Sequence, residues 1–282
     1  MNMKIAVTGD LHYPELHEAI EFIRKDHREF FETFIGRFFS IPANLYVSIG
    51  DLTNIGSAEE LNDVYALLRK YDKRFMHVLG NHDMYSLTRN EVLAITEQDR
   101  SYVISTEQAV LAFIDTAREK DFKDWGGTLD VQQLSWLETV IEQSGERPLI
   151  LFAHHPPNGT TARSEKDKRC IHPDIPIWDV LSKKKGIGLY VNGHNHCNSI
   201  VQKGQWTFLQ LAAVLDEQAV RTIEVTDSEI IIDFVDVSDP LLKAKAQIIG
   251  NSIPYFLLNR NFAGTERDVR HVIPLVPTAV AE

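Results

Sequence analysis

Only two of the 282 residues are cysteines, Cys170 and Cys197, which excludes a disulfide framework and a thiolate metal cage built from closely spaced pairs. Long apolar runs are missing too. No stretch approaches the roughly 18 consecutive apolar residues of a membrane span, and Met1-Asn2-Met3-Lys4 runs into a strand pattern with no secretory core. A soluble, cytoplasmic protein without membrane contact is expected. Positive charge is scarce: 29 Lys and Arg stand against 40 Asp and Glu, for a net −11. That excludes a broad nucleic-acid surface, because phosphate backbones are held by clustered cations. Repeats and low-complexity tracts are absent, and no Gly-rich loop ends in Lys-Ser or Lys-Thr, so a P-loop is excluded.

What is present is a chain with 44% hydrophobic residues, enough to bury a substantial core. Strand-like runs occupy Lys4 to Thr8, Leu45 to Ile49, Phe75 to Leu79, Ala109 to Ile114, Leu149 to Ala153 and Gly188 to Val191. Helical patterns alternate with them. Leu16, Ile20, Ile23, Phe30, Phe34 and Phe38 recur at helical spacing and predict one buried stripe. Ser57 with Glu60, and Asp130 with Gln133, have capping-box spacing ahead of apolar periodic segments. From about residue 199 consecutive strands follow, Trp206 to Leu211, Val220 to Val225 and Ile230 to Val235, and predict a second, more antiparallel sheet. The fold class is α/β, with two mixed β-sheets packed face to face and helices outside. Pro240 ends the clear pattern, so residues 1–239 form the main domain and residues 240–282 an extension that packs on the core or joins a second copy. In that extension Leu241 to Ile249 is expected to be helical with Gly250 as its stop, and Ile253, Tyr255, Phe256 and Leu257 offer apolar contacts for a homo-oligomer.

Five short segments each begin just after an apolar run: Asp10-Leu11-His12, Gly50-Asp51, Gly80-Asn81-His82-Asp83, His154-His155-Pro156-Pro157 and Gly193-His194-Asn195-His196. That placement puts Asp, Asn and His side chains at strand ends, where one pocket can gather them. Hydrolysing a phosphate ester needs a nucleophile that can approach an anion, stabilised phosphoryl oxygens and help for the leaving alkoxide. Two cations about 3.5 to 4 Å apart supply all three. Hard and borderline donors suit them, and a carboxylate with one oxygen for each metal is a natural bridge. Histidine, which ordinarily titrates near neutrality, suits a charged phosphate contact and proton delivery.

The motif set resembles the calcineurin-like metallophosphoesterases over about residues 4 to 237. Within that superfamily, the segment from Gly50 to Ser57, the His154 motif and Gln133, Trp136 and Leu137 resemble the class III cyclic-nucleotide phosphodiesterase and glycerophosphodiesterase branch. The resemblance implies a four-layer αββα sandwich and a binuclear metal hydrolase for small phosphodiesters, with in-line attack at phosphorus by metal-activated water. It implies that Asp10, His12 and His196 hold one metal, that Asn81, His154 and His194 hold the other, and that Asp51 bridges them. His82 would contact phosphate beside Asn81 and protonate the leaving group, oriented by Asp83. The donor set contains no thiolate and suits Mn, Fe, Zn or Co.

The loop from Asn158 to Pro176 carries Arg163, Lys166, Lys168, Arg169 and His172. Arg163, Arg169 and His172 are candidate substrate contacts, against the plainer reading of a solvated charged loop. Gly9, Gly50, Gly80 and Gly193 are read as sharp-turn residues that aim the next side chain into the site. His155 is read as structural or as a support behind the metal ligands rather than a ligand itself, and His17, His27, His77 and His271 as structural or solvent-facing. The alternatives are a phosphomonoesterase or nucleotidase of the same fold, and a non-catalytic scaffold.

Overall fold

In the first strand Ile5 and Val7 face one core while Ala6 faces another, and this alternation sets the layering of the molecule. The computed structural model describes residues 2–275. Its strands are β1 (Met3–Thr8), β2 (Leu45–Ser48), β3 (Phe75–His77), β4 (Ser101–Ser105), β5 (Val110–Ile114) and β6 (Leu149–Phe152). They continue as β7 (Gly188–Asn192), β8 (Ser199–Lys203), β9 (Trp206–Gln210), β10 (Ala219–Val225), β11 (Glu229–Asp236) and β12 (His271–Pro274). One sheet runs β12-β11-β10-β1-β2-β3 and the other β4-β5-β6-β7-β9-β8. Both are mixed: β1, β2 and β3 are parallel while β10, β11 and β12 are antiparallel, and the second sheet has antiparallel edges around a parallel centre.

The late strands therefore do not form a sheet of their own. β10 pairs with β1 and β9 with β7, so the segment after residue 199 is divided between both sheets. Alternation told which face of each strand is apolar, whereas partner choice depends on contacts distant in sequence.

The helices are α1 (Arg24–Ser40), α2 (Ala58–Leu68), α3 (Arg89–Thr96), α4 (Val131–Ser144), α5 (Ile177–Leu181) and α6 (Pro240–Ser252). Helices α1, α2 and α6 cover the outside of the first sheet with a core that includes Phe30, Phe34, Phe38, Val64 and Ile249. Helices α4 and α5 cover the second sheet. Between the sheets lie Ile5, Val47, Phe113, Phe152, Val191 and Ile223. This is the expected αββα arrangement. The Leu16–Phe38 stripe is not one helix, because Glu18–Ile23 winds as a 3-10 turn before α1.

Both halves of the capping box on α4 are made by Asp130 and Gln133. At α2 Ser57 caps the Glu60 N–H, but the Glu60 carboxylate turns back to accept from Ile55 N and Gly56 N. Helix α6 runs through Gly250 to Ser252, and a Cβ on that glycine would come within 2.8 Å of Leu258. Gly250 serves close packing rather than helix termination. Of the proposed extension, α6 packs on α1 and β12 adds an edge to β11; its residues 276–282 lie outside the described residues. Among the described residues no helix is long and apolar enough to cross a membrane.

Candidate metal centre

Asp10 and His12 follow β1, Asp51 follows β2, Asn81 follows β3, His154 follows β6, and His194 and His196 follow β7. These are the carboxyl ends of parallel strands in both sheets, so the ligand candidates converge above the seam between them. All but His196 are nearly or fully buried.

Five of the seven sit in left-handed backbone: Asp10 at φ 52°, His12 at 49°, Asp51 at 48°, His194 at 72° and His196 at 50°. A non-glycine residue there is strained by about 1 kcal/mol or more, and such strain persists where the surroundings over-determine it. Backbone bonds do that here: Asp10 N donates to Gly50 O at 2.9 Å, His12 N to Asp51 O at 2.9 Å, and Gly193 N to His154 O at 3.1 Å.

Hydrogen bonds then sort the donor atoms. Asp10 Oδ1 accepts from His194 N at 3.0 Å, leaving Oδ2 buried with no partner. Asp51 Oδ1 accepts from His82 N at 2.8 Å, while its Oδ2 lies 3.2 Å from His154 Nε2 and 3.9 Å from His12 Nε2. One oxygen of Asp51 thus faces both histidine groups, while the other is taken by the His82 backbone N–H. His154 Nδ1 donates to Ile49 O at 3.0 Å, and His194 Nε2 to Lys168 O at 2.9 Å. Those bonds leave His154 Nε2 and His194 Nδ1 as inward lone pairs 3.3 Å apart, with Asn81 Oδ1 3.2 Å from the former. Tyr85 accepts from Asn81 Nδ2 at 2.8 Å and so turns the amide oxygen inward. On the other side, His12 Nε2 and His196 Nε2 approach to 3.2 Å, and His196 Nε2 lies 3.4 Å from Asp10 Oδ1.

Two groups of converging donors result, one from Asp10, His12 and His196, the other from Asn81, His154 and His194, with Asp51 between them. Buried lone pairs aimed at one another and an orphaned carboxylate oxygen are unfavourable alone. The same arrangement fits a pair of cations. His155 lies near the second group but is not free to join it, because Nδ1 accepts from Thr116 Oγ1 at 2.8 Å and Nε2 donates to Trp125 O at 3.0 Å.

The electrostatics agree. Burial, reinforced by neighbouring imidazoles, holds His12 and His194 well below their ordinary values. Burial pushes Asp51 upward, but His154, His82 and His12 together hold it well below the usual carboxylate range. Burial opposes protonation of His154, and the Asp51 carboxylate overcomes it to raise His154 to about 9. His12, His194 and Asp51 are thus held in the deprotonated forms that bind metal, whereas His154, which keeps its proton through the Asp51 carboxylate, would have to give it up to a cation.

The four glycines act mainly by omission of a side chain. A Cβ at Gly193 would stand 2.1 Å from Asp10 Oδ2, one at Gly80 2.1 Å from Asp51 Oδ1, and one at Gly9 2.4 Å from Ile49. Only Gly50 also needs the left-handed region, at φ 106°.

Asp83 does not orient His82. Its carboxylate accepts from Thr53 N, Thr53 Oγ1 and Gly80 N and lies 3.1 Å from His77 Nε2, whereas His82 Nδ1 donates to Asn54 O at 2.6 Å. A backbone carbonyl rather than Asp83 takes His82 Nδ1, which leaves Nε2 for the cavity that His82 lines. Arg163 and Arg169 line that cavity of about 630 Å³, but His172 does not; it is half exposed and lies 3.6 Å from Asp174. Tyr255 and Leu257 line the same cavity, while Ile253 and Phe256 are buried within the chain. These four are therefore not simply spare surface.

Sequence reading missed Asn54, Tyr85, Asp216 and Asn259. Asn259 Nδ2 donates to His196 O at 2.6 Å, and its backbone N donates to Asp216 Oδ1 at 2.7 Å. Phe256 packs edge-on against His12 with centroids 4.8 Å apart and stacks on His196 at 5.2 Å. Only Tyr85, four residues after Asn81 in a tight turn, left a local signal.

Residues 3–198 match the family described as calcineurin-like phosphoesterase. The glycerophosphodiester phosphodiesterase GpdQ of Enterobacter lignolyticus is 25% identical over 60% of this chain and 61% of its own length. A Rhodopseudomonas palustris protein named "Probable cyclic nucleotide phosphodiesterase" is 26% identical over 52% of this chain and 54% of its own length. The matched part thus spans less than two thirds of these curated relatives. A dimetal phosphatase from Danio rerio shares the fold, with a TM-score of 0.69 at 15% identity over 84% of this chain and 97% of that one.

Proposed function

The chain belongs to the calcineurin-like phosphoesterase family, and on that premise we propose that it hydrolyses small phosphodiesters of the cyclic-nucleotide or glycerophosphodiester type at a binuclear metal centre. The observation that carries this reading is the Asp51 oxygen facing two separate groups of inward donors. Asp10, His12 and His196 would hold one cation, Asn81, His154 and His194 the other, and Asp51 both. Mn, Fe, Zn and Co all suit this nitrogen and oxygen set. When bound, such a pair acidifies water and neutralises charge on phosphoryl oxygens.

The remaining work falls to the chain itself. His82, fixed through Nδ1 by the Asn54 carbonyl, presents Nε2 to the cavity, where it contacts a phosphoryl oxygen and delivers a proton to the leaving oxygen. Tyr85 fixes the rotamer of Asn81. Arg163 and Arg169 supply the positive wall that an anionic substrate needs in a chain of net charge −11. The named activities of the two bacterial relatives support the diester over the monoester.

Protein reconstituted separately with Mn, Fe, Zn and Co should cleave bis(p-nitrophenyl) phosphate with a higher kcat/KM than p-nitrophenyl phosphate. A higher value for the monoester would make the enzyme a phosphomonoesterase, and no hydrolysis of either with any metal would leave a scaffold.

A further inference from the structure

Nine large apolar side chains are exposed among the described residues, and three of them, Phe122, Tyr255 and Leu257, line the cavity over the candidate metal centre. Scattered exposed apolar residues need no explanation, but a cluster at a functional mouth does. These three come from two segments far apart in sequence.

They belong to an unbroken line of rings. The His82 imidazole lies 4.8 Å from the Tyr85 ring, Tyr85 stacks on Phe122 at 4.3 Å with planes 19° apart, and Phe122 meets Tyr255 at 5.6 Å. The line therefore starts at the proposed proton donor and ends at the rim. Its outer members are open to solvent, Phe122 at 47% and Tyr255 at 67%.

The chain bears strain to keep it there. Tyr255 sits at φ 60°, where a bulky residue is rarely found. Its neighbours fix that position: Asn54 Nδ2 donates to Pro254 O at 3.0 Å, Phe256 is buried against the rings of His12 and His196, and Asn259 accepts from Arg163 Nη2 at 3.1 Å. Elsewhere in the cavity, neither Arg163 nor Arg169 has a carboxylate within 4.0 Å among the described residues, whereas seven of the thirteen other arginines do. Two guanidinium groups whose charge no carboxylate neutralises and a ring-lined wall suit an anion carrying a flat apolar group. A polyol would use the first and gain little from the second.

We propose that Phe122 and Tyr255 form a stacking shelf that selects phosphate esters whose substituent is a planar aromatic ring, with the phosphate at the His82 end. This rests on the phosphoesterase reading of the same site and narrows its substrate class. Stacking on one face is tolerant of ring identity, so the shelf accepts an aryl group or a nucleobase alike.

The test separates ring recognition from catalysis by using phenylphosphonate and methylphosphonate, which share an anionic head and resist hydrolysis. Calorimetric titration of the Mn-loaded protein should give a Kd roughly ten-fold lower for the phenyl compound. Phe122→Leu, Phe122→Ala and Tyr255→Gly should each bring the ratio close to one. Tyr255→Gly also relieves the left-handed backbone, so a folded variant is expected. A wild-type ratio near one, or a ratio that survives all three substitutions, overturns the shelf. A ten-fold ratio in a protein that cleaves no ester with any metal would leave the shelf standing and remove the hydrolase reading instead.

Discussion

Asp83 accepts two hydrogen bonds from Thr53, one from its backbone N at 2.9 Å and one from its hydroxyl at 2.7 Å. The same carboxylate takes Gly80 N at 2.9 Å, so it ties the loop that carries Asp51 to the loop that carries Asn81. Asp83→Ala would leave those donors and His77 Nε2 buried and unpaired, while His77 Nδ1 keeps Tyr65 Oη, a loss of about 3 to 5 kcal/mol. Thermal unfolding should show that drop together with weaker metal retention. Unchanged stability with reduced turnover would instead make Asp83 a catalytic partner.

His82 contributes no donor to either ligand group, and its Nδ1 is taken by Asn54 O. His82→Ala should lower kcat by about 10² to 10⁴-fold, the usual range for a positioned general acid. Bound metal, measured by mass spectrometry, should stay at the wild-type level. Turnover near wild type would falsify the proton-delivery role.

Gly193→Ala directs a methyl group at Asp10 Oδ2, which lies 2.1 Å from where the added Cβ would stand. The carboxylate must swing away, and metal affinity should fall by about 10 to 100-fold, as for other disturbances of ligand orientation. Competition against a chelator would reveal it. Retained affinity would mean that the Asp10 oxygen is not a ligand.

How much of this was legible in sequence depended on range. The candidate ligands were readable because each follows a short apolar run, and a strand end is a local property. Asp83 was misassigned because its partner His77 lies on β3 and Thr53 on another loop, while adjacency in sequence favoured His82. Phe256 was read as a surface for a second copy and Asn259 was not singled out, since their contact with His196 depends on how α6 packs before the chain returns. The sheet assignment of β10 and β9 failed for the same reason: periodicity carries the facing of a strand, not its neighbour. Left-handed backbone at Asp10, His12, Asp51, His194 and His196 was invisible as well, because residues other than Gly and Asn seldom advertise it.

Away from the centre, His27 is buried between Tyr13 and Phe31 and donates from Nε2 to Pro14 O at 3.1 Å. Burial lowers its pKa from 6.5 to about 4. Between those values the unfolded chain binds the proton and the folded one does not. Stability from this group is therefore complete above about pH 6.5 and is lost as pH falls toward 4, by about 2 kcal/mol at pH 5. His27→Phe should flatten the fall in unfolding free energy between pH 7 and 5 by about that amount. Parallel curves for variant and wild type would show that His27 titrates normally.

The central proposal is that seven side chains would hold two cations, with Asp51 shared between the two groups of donors. Elemental mass spectrometry of protein reconstituted with manganese and freed of excess metal measures this directly. The expected result is two ions for each wild-type chain and fewer in Asp51→Ala. A wild-type chain that retains no metal, or one ion that is indifferent to loss of Asp51, would contradict it.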